Sequence, residues 1–298
     1  MDRRAWLLLG AVSAIWGASF LWVALALRDL SPGAVTLARA GLAAAVMLPV
    51  ALRRGALQGL RERPGALVAV ALVQIAAPFL LIGYAQVEVD SGLAGVLVGS
   101  TPLWTALLAL WLDEEERMRG LQLAGLVIGL AGVALTVGAD LRVSSPALLG
   151  GLALLLAALG YAAGGFIVKH RLGGTQPLGV VAAAMLVATV AVAPAAAAAP
   201  PSRLPGLLAV AAAVLLGAVS GGVGWLLYYT LLDEVGPASA SLALYLVPGF
   251  AVVYGVALLG EPLTAGTLGG LALIAGGSWL AGRSPRSTGS RIRQRDGG

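Results

Sequence analysis

The chain has 298 residues, 59% hydrophobic and only 11% charged, with a mean hydropathy of +0.93. A soluble domain carries about 25% charged residues, so this composition excludes a soluble enzyme, a disordered chain and a DNA-binding domain. The formal net charge is +5, and the absence of cysteine excludes disulfides, thiolate metal sites and a cysteine nucleophile.

A helix needs about 20 mostly apolar residues to cross the hydrocarbon core of a bilayer. The first such stretch, 5–27, follows Arg3 and Arg4 and is too long for the apolar core of a cleaved signal peptide. It carries Ser13, Trp16, Gly17 and Phe20 at helical spacing on one face. The second, 32–52, holds Arg39, the one charge plainly inside a span. The third, 66–86, carries Gln74, Pro78 and Tyr84, and the fourth, 91–112, carries Ser100, Thr101, Pro102, Trp104 and Thr105. The fifth, 120–139, is plain and precedes the sixth, 147–168, with Tyr161. The seventh, 178–197, is also plain. The eighth, 206–231, offers Ser220, Gly221, Gly224, Trp225 and Tyr228, and the ninth, 238–259, offers Ser241, Tyr245 and Pro248. The tenth, 265–282, leads into a basic tail, 283–298, expected to be disordered and cytoplasmic.

No stretch alternates apolar and polar residues as a barrel strand would, and lipid offers the backbone no partners, so the spans are expected to be helices. With the first residue inside, fifteen Lys and Arg fall on the cytoplasmic side and three on the outer side. That bias places both termini in the cytoplasm. The basic balance thus reports topology, and nucleic acid is not expected as a partner.

Fragments of the first half recur about 145 residues later. Gly125 and Gly132 fall on Gly270 and Gly277, Glu116 on Glu261, and Trp16 on Tyr161; with a one-residue slip, Pro102 falls on Pro248. Each half holds five spans. Five is odd, so the second half enters the membrane from the opposite side, as in inverted-repeat secondary transporters. The expected architecture is all-α and integral to the membrane: ten transmembrane helices in two inverted five-helix repeats, 1–140 and 141–282, with N and C termini cytoplasmic.

Several motifs carry a family resemblance: Trp16-Gly17-Ala18-Ser19-Phe20, Arg39, Thr101-Pro102 running down to Glu114-Glu115-Glu116, Leu246-Val247-Pro248, and Gly260-Glu261-Pro262-Leu263-Thr264. With them the chain resembles the EamA branch of the drug/metabolite transporter superfamily, and in size and plan its YddG-type amino-acid exporters. Gly164 and Gly165 depart from the pattern, standing where the first half has Ser19 and Phe20. The resemblance implies a central cavity lined by the first, third, fourth, sixth, eighth and ninth helices. It also implies export of small metabolites, amino acids including aromatic or neutral ones, by alternating access. Drug-like cations, nucleobases or sugar-linked metabolites are the alternative cargo, and a non-transporting membrane protein is the alternative class.

The candidate substrate-binding residues are Trp16, Gln74, Pro78, Tyr84, Ser100, Thr101, Trp104, Tyr161, Trp225 and Tyr245. Aromatic faces give apolar contact and can hold an ammonium, while the hydroxyls and the amide can bond a carboxylate or amine. The same hydroxyls can instead bond the backbone one turn earlier. Pro102 and Pro248 are hinge candidates, since an internal proline removes a donor and kinks a helix. Arg39 is read either as a structural charge, paired with carbonyls or with Glu88, Asp90 or Glu261, or as a gating or binding residue. Trp6, Trp22, Trp111 and Trp279 lie near span ends and read as interface anchors. No Asp or Glu sits mid-span, and no Gly-x-x-x-x-Gly-Lys-Ser/Thr occurs. A facilitator or exchanger without cofactor or metal is therefore expected, acting as a monomer in the lipid bilayer of a bacterial inner membrane. An intramembrane serine protease is disfavoured because His170, the only histidine, is expected in a loop.

Overall fold

A computed structural model describes residues 1–112, 120–140, 145–201 and 203–282. The tail 283–298 and Glu114–Glu116 lie outside the described residues. Among those described, the elements are helical: α1 Arg3–Ala26, α2 Pro32–Arg53, α3 Pro64–Ala85, α4 Ser91–Leu112 and α5 Leu121–Asp140. They continue as α6 Ser145–Arg171, α7 Pro177–Ala197, α8 207–235, α9 237–259 and α10 Ala265–Ala281. Nine helices among the described residues are long and apolar enough to cross a membrane, and α10 is a shorter apolar helix of 17 residues.

Caps fix several starts. Asp2 accepts from the Ala5 N–H at 2.9 Å to open α1, and Ser31 accepts from the Ala34 N–H at 3.3 Å, with Pro32 beginning α2. Thr264 accepts from the Thr267 N–H at 2.9 Å to open α10. Between α8 and α9 the chain turns at Gly236, with φ 75° and ψ 168°, a conformation open essentially to glycine alone. His170 lies in the last turn of α6 rather than in a loop, edge-on to Phe166.

The largest helix contacts follow a reciprocal plan. Helix α1 lies against α8 and α9, and α6 lies against α3 and α4. Helix α2 meets α7 and α8, α7 meets α2 and α3, and α5 meets α10. Exchanging each helix for the one five places along leaves this list unchanged, as a two-fold relation between two five-helix units requires. The glycines at the 145-residue spacing show the same exchange in detail. Gly277 meets the Gly125 carbonyl, and Gly132 meets the Gly270 carbonyl. A methyl on Gly125 would stand 2.5 Å from Leu280 Cβ, so α5 and α10 approach as closely as their backbones allow.

Three helices depart from α geometry. Widened π turns occupy 71–76 in α3, 215–223 in α8 and 255–259 in α9. The first two occupy corresponding positions of the two units. In α3 the wide turn directly precedes Pro78, which cannot donate to the carbonyl one turn back. Helix α4 is broken at Gly99-Ser100 and resumes at Thr101.

Candidate functional site: a central cavity

A cavity of about 310 Å³ lies where the two five-helix units meet, within the size of small-molecule sites. The first unit lines it from α1, α2, α3 and α4, and the second from α6, α7, α8 and α9. Helices α5 and α10 stand outside it, packed on each other. Val181 and Met185 of α7 line the wall as well, which the sequence did not suggest. They are apolar residues in an apolar stretch.

The aromatic wall is built on α1 and α8. Trp16 lies 5.2 Å from Trp225, edge-on, and 5.0 Å from Tyr228; Trp225 and Tyr228 are 5.9 Å apart. Trp16 is held by two facts of the backbone. Its Nε1–H donates to the Ser220 carbonyl at 3.2 Å, within the wide turn of α8. Gly224 leaves room for its indole, because a methyl there would lie 2.8 Å from Nε1. Ser220 returns the bond, its hydroxyl donating to the Ile15 carbonyl at 3.1 Å.

Opposite, Gln74 projects from the wide turn of α3. The Gln74 side chain crosses α6 at Gly164, where any Cβ would collide with it. The departure from the repeat at Gly164 is therefore the space that admits Gln74. Its counterpart on α8 is the small Ser220, while Ser19 occupies the Gly164 position on α1. The Gln74–Gly164 crossing thus pairs a large side chain with none, whereas both of its counterparts in the other unit are serines.

Arg39 comes into the cavity from α2, whose close approach to α8 depends on Gly217 and Gly221. Its guanidinium carbon stands 3.7 Å from the centre of the Phe79 ring. Its Nε is buried and has no hydrogen-bond partner among the described residues. Among the described residues Arg39 forms no ion pair with Glu88, Asp90 or Glu261, one of the pairings the sequence left open. Glu261 instead accepts from the Ser91 N–H at 2.7 Å and the Gly92 N–H at 2.8 Å, closing the first turn of α4.

Trp16, Gln74, Thr101, Tyr161 and Trp225 all line the cavity, together with Arg39 and Pro102. The other candidates lie off it. Pro78 is buried against Gly160 of α6. Tyr84 is 55% exposed on the outside of α3. Ser100 is fully buried; its hydroxyl donates to the Leu97 carbonyl at 2.6 Å and accepts from Trp104 Nε1–H at 3.2 Å. That bond turns Trp104 along its own helix. Tyr245 points to α10, its hydroxyl 3.5 Å from the Ser278 carbonyl. Pro248 is buried at the break in α4, where a methyl on Gly99 would lie 2.8 Å from its ring. Ser13 turns to α9 and donates to the carbonyls of Leu9 and Ala243 at 2.7 and 3.2 Å. Thr101 also spends its proton on the backbone, at the Val98 carbonyl 2.7 Å away. Tyr228, noted on the eighth span, also lines the cavity, and Phe79 is a lining aromatic that the sequence did not single out.

Apolar helices in two reciprocal units around a shared cavity define a multi-pass membrane protein of the transporter class. The model of the EamA-like transporter family matches residues 4–138 and 148–283, and the chain belongs to that family. It is 33% identical to the uncharacterized protein PA1977 of Pseudomonas aeruginosa over 92% of this chain and 95% of that one. It is 28% identical to a protein of Streptantibioticus cattleyicolor named a probable terminal-alkyne amino-acid exporter, covering 93% and 92% of the two chains. Identity to the uncharacterized inner membrane transporter YedA of Escherichia coli K12 is 29%, over 85% of this chain and 82% of that one. A solved crystal structure superposes with a TM-score of 0.67 at 21% identity, covering 95% of this chain and 97% of the other. At that identity the likeness shows the fold alone. The chain is a multi-pass protein of the bacterial inner membrane.

Proposed function

We propose that this protein is a secondary transporter that exports small metabolites, amino acids foremost, aromatic and other neutral ones included. Its cargo passes through the central cavity by alternating access, as a facilitator or exchanger. The observation that carries this reading is the placement of the cavity between two reciprocally packed units, each contributing lining residues. Rocking one unit against the other would open such a site first to one side and then to the other.

The membrane arrangement belongs to the same reading. All ten helices cross the bilayer, the two units in opposite orientation, with both termini cytoplasmic. At about 1.5 Å per residue the 17 residues of α10 reach about 25 Å, which slight thinning of the bilayer accommodates. The repeats are taken as 1–140 and 141–282, and the transporter as a monomer. The lining suits an amphipathic guest: Trp16, Trp225 and Tyr228 give ring faces, Gln74 gives an amide, and Arg39 gives a cation. The cation disfavours the alternative of drug-like cations. The amino-acid exporter among the relatives supports the cargo class.

The test is counterflow in proteoliposomes loaded with a panel of unlabelled neutral amino acids, with the labelled forms outside. Saturable uptake, reduced at least tenfold by Trp225→Ala, is expected. Absence of saturable counterflow for every amino acid in the panel would overturn the cargo assignment.

A further inference from the structure

Arg39 puts a positive charge on the cavity wall. Among the described residues no Asp or Glu lines that cavity. The described ion pairs lie at helix ends, Arg4 with Glu234 and Arg203 with Asp29, and Glu261 spends both oxygens on the backbone of α4. A half-buried guanidinium on the cavity wall, its Nε buried without a partner, draws an anion, and its planar fork matches a carboxylate in two parallel hydrogen bonds. Phe79 fixes the plane of that fork by stacking on it at 3.7 Å. Among the described residues no other Lys or Arg lines the cavity, so one negative charge is balanced and a phosphate dianion is not.

The other end of an amino acid finds far less. An ammonium group would meet ring faces of Trp225 and Tyr228 but no carboxylate, and Arg39 would repel it. The asymmetry is chemical: one strong anchor for the carboxylate, weak and diffuse attraction for the amine.

We infer that the transported molecule is selected by a carboxylate bound to Arg39, and that its amino group is dispensable. This deepens the proposed export function and rests on the same cavity. The site would accept deaminated analogues of a hydrophobic amino acid and reject the decarboxylated amines.

The test competes 3-phenylpropionate and phenethylamine against labelled phenylalanine in counterflow with the full chain in proteoliposomes. The acid is expected to inhibit within about threefold of phenylalanine itself, because the Arg39 pair carries the selection. The amine is expected to leave counterflow unchanged at concentrations at least about tenfold higher. Arg39→Lys keeps the charge but loses the fork and the stack, and should weaken both acids at least about tenfold. Equal inhibition by acid and amine would overturn the inference. If phenylalanine is not carried, the cargo reading fails by itself, and tryptophan fluorescence of the detergent-purified protein decides the carboxylate reading. A saturable change with the acid and none with the amine would uphold it; no change with the acid, or an equal change with both, would overturn it. Should Arg39→Lys fail to fold, the comparison of acid with amine on the unsubstituted protein decides alone.

Discussion

Removing the Glu261 carboxylate should loosen α4 from the loop between α9 and α10. The carboxylate accepts two backbone N–H groups of the first turn of α4, at 2.7 and 2.8 Å. Hydrogen bonds to a charged group contribute about 1.5–3 kcal/mol each, and a negative charge at a helix N-terminus adds about 0.3–1 kcal/mol. Asp90, just ahead of this turn, is exposed, so water can replace part of what Glu261→Ala removes. These terms sum to roughly 3–7 kcal/mol, and the expected loss is therefore about 3–4 kcal/mol, the low end of that range. For a protein of this size that corresponds to a fall of roughly 5–10 °C in melting temperature. Glu261→Gln keeps one acceptor and should lose about half as much. Gly255 supplies an independent check, because a methyl there would land on the carboxylate and push it away. Gly255→Ala should cost a similar amount, and adding it to Glu261→Ala should cost no more than about 0.5 kcal/mol further. The assay is thermal unfolding of the purified protein in detergent at one fixed scan rate, followed by tryptophan fluorescence. An unchanged melting temperature for Glu261→Ala, or full additivity of the two substitutions, would refute the clasp.

Three further outcomes follow from local geometry. Gly236→Ala puts a side chain at φ 75°, ψ 168° and should cost about 1–3 kcal/mol, whereas Gly249→Ala, helical with open space around it, should not destabilise; paired melting curves separate them. Gly164→Ala forces Gln74 to move, because the new methyl would meet Gln74 from its Cβ outward, which should cost about 1–3 kcal/mol and reduce transport; a second change, Gln74→Gly, which removes that Cβ, should recover part of the melting temperature without restoring transport. Asp29 accepts from the Gly206 N–H and from Arg203, which together hold its carboxyl below the ordinary aspartate value. Its contribution is therefore present above that value and lost as pH falls through the folded one. The difference in melting temperature between the protein and Asp29→Asn should be constant near neutrality, begin to shrink only below about pH 4, and vanish once the pH lies below the lowered value of the folded carboxyl.

The helices were legible because the membrane imposes a length of apolar chain, and that length can be counted. The glycine spacing of 145 residues also carried over directly, since Gly125, Gly132, Gly270 and Gly277 all lie in the α5–α10 seam. What hydropathy cannot register is a change of helical pitch. The wide turns in α3 and α8 and the break in α4 rotate everything after them. That is why Thr101 faces the cavity while Ser100 and Trp104 bond to each other along the helix. Tyr245 illustrates a second limit. It sits beside the lining residue Leu244, and one residue of helical phase turns it to α10. Residue type marked the polar and aromatic part of the site well, through Trp16, Gln74, Arg39, Tyr161 and Trp225. Val181 and Met185 carry no such mark. Glu261 was recognisable as a motif, but its partners are 170 residues away and only the fold brings them together.

Alternating access through the cavity is tested most directly by chemical labelling. The chain has no cysteine, so Thr101→Cys would place a single thiol in the cavity wall without further engineering. A membrane-impermeant thiol reagent would be applied from each side of oriented vesicles, with and without a transported amino acid. Reaction from both sides, slowed by the amino acid, is the predicted result. A thiol that reacts from one side only, whatever ligand is present, would contradict a carrier that opens alternately to both.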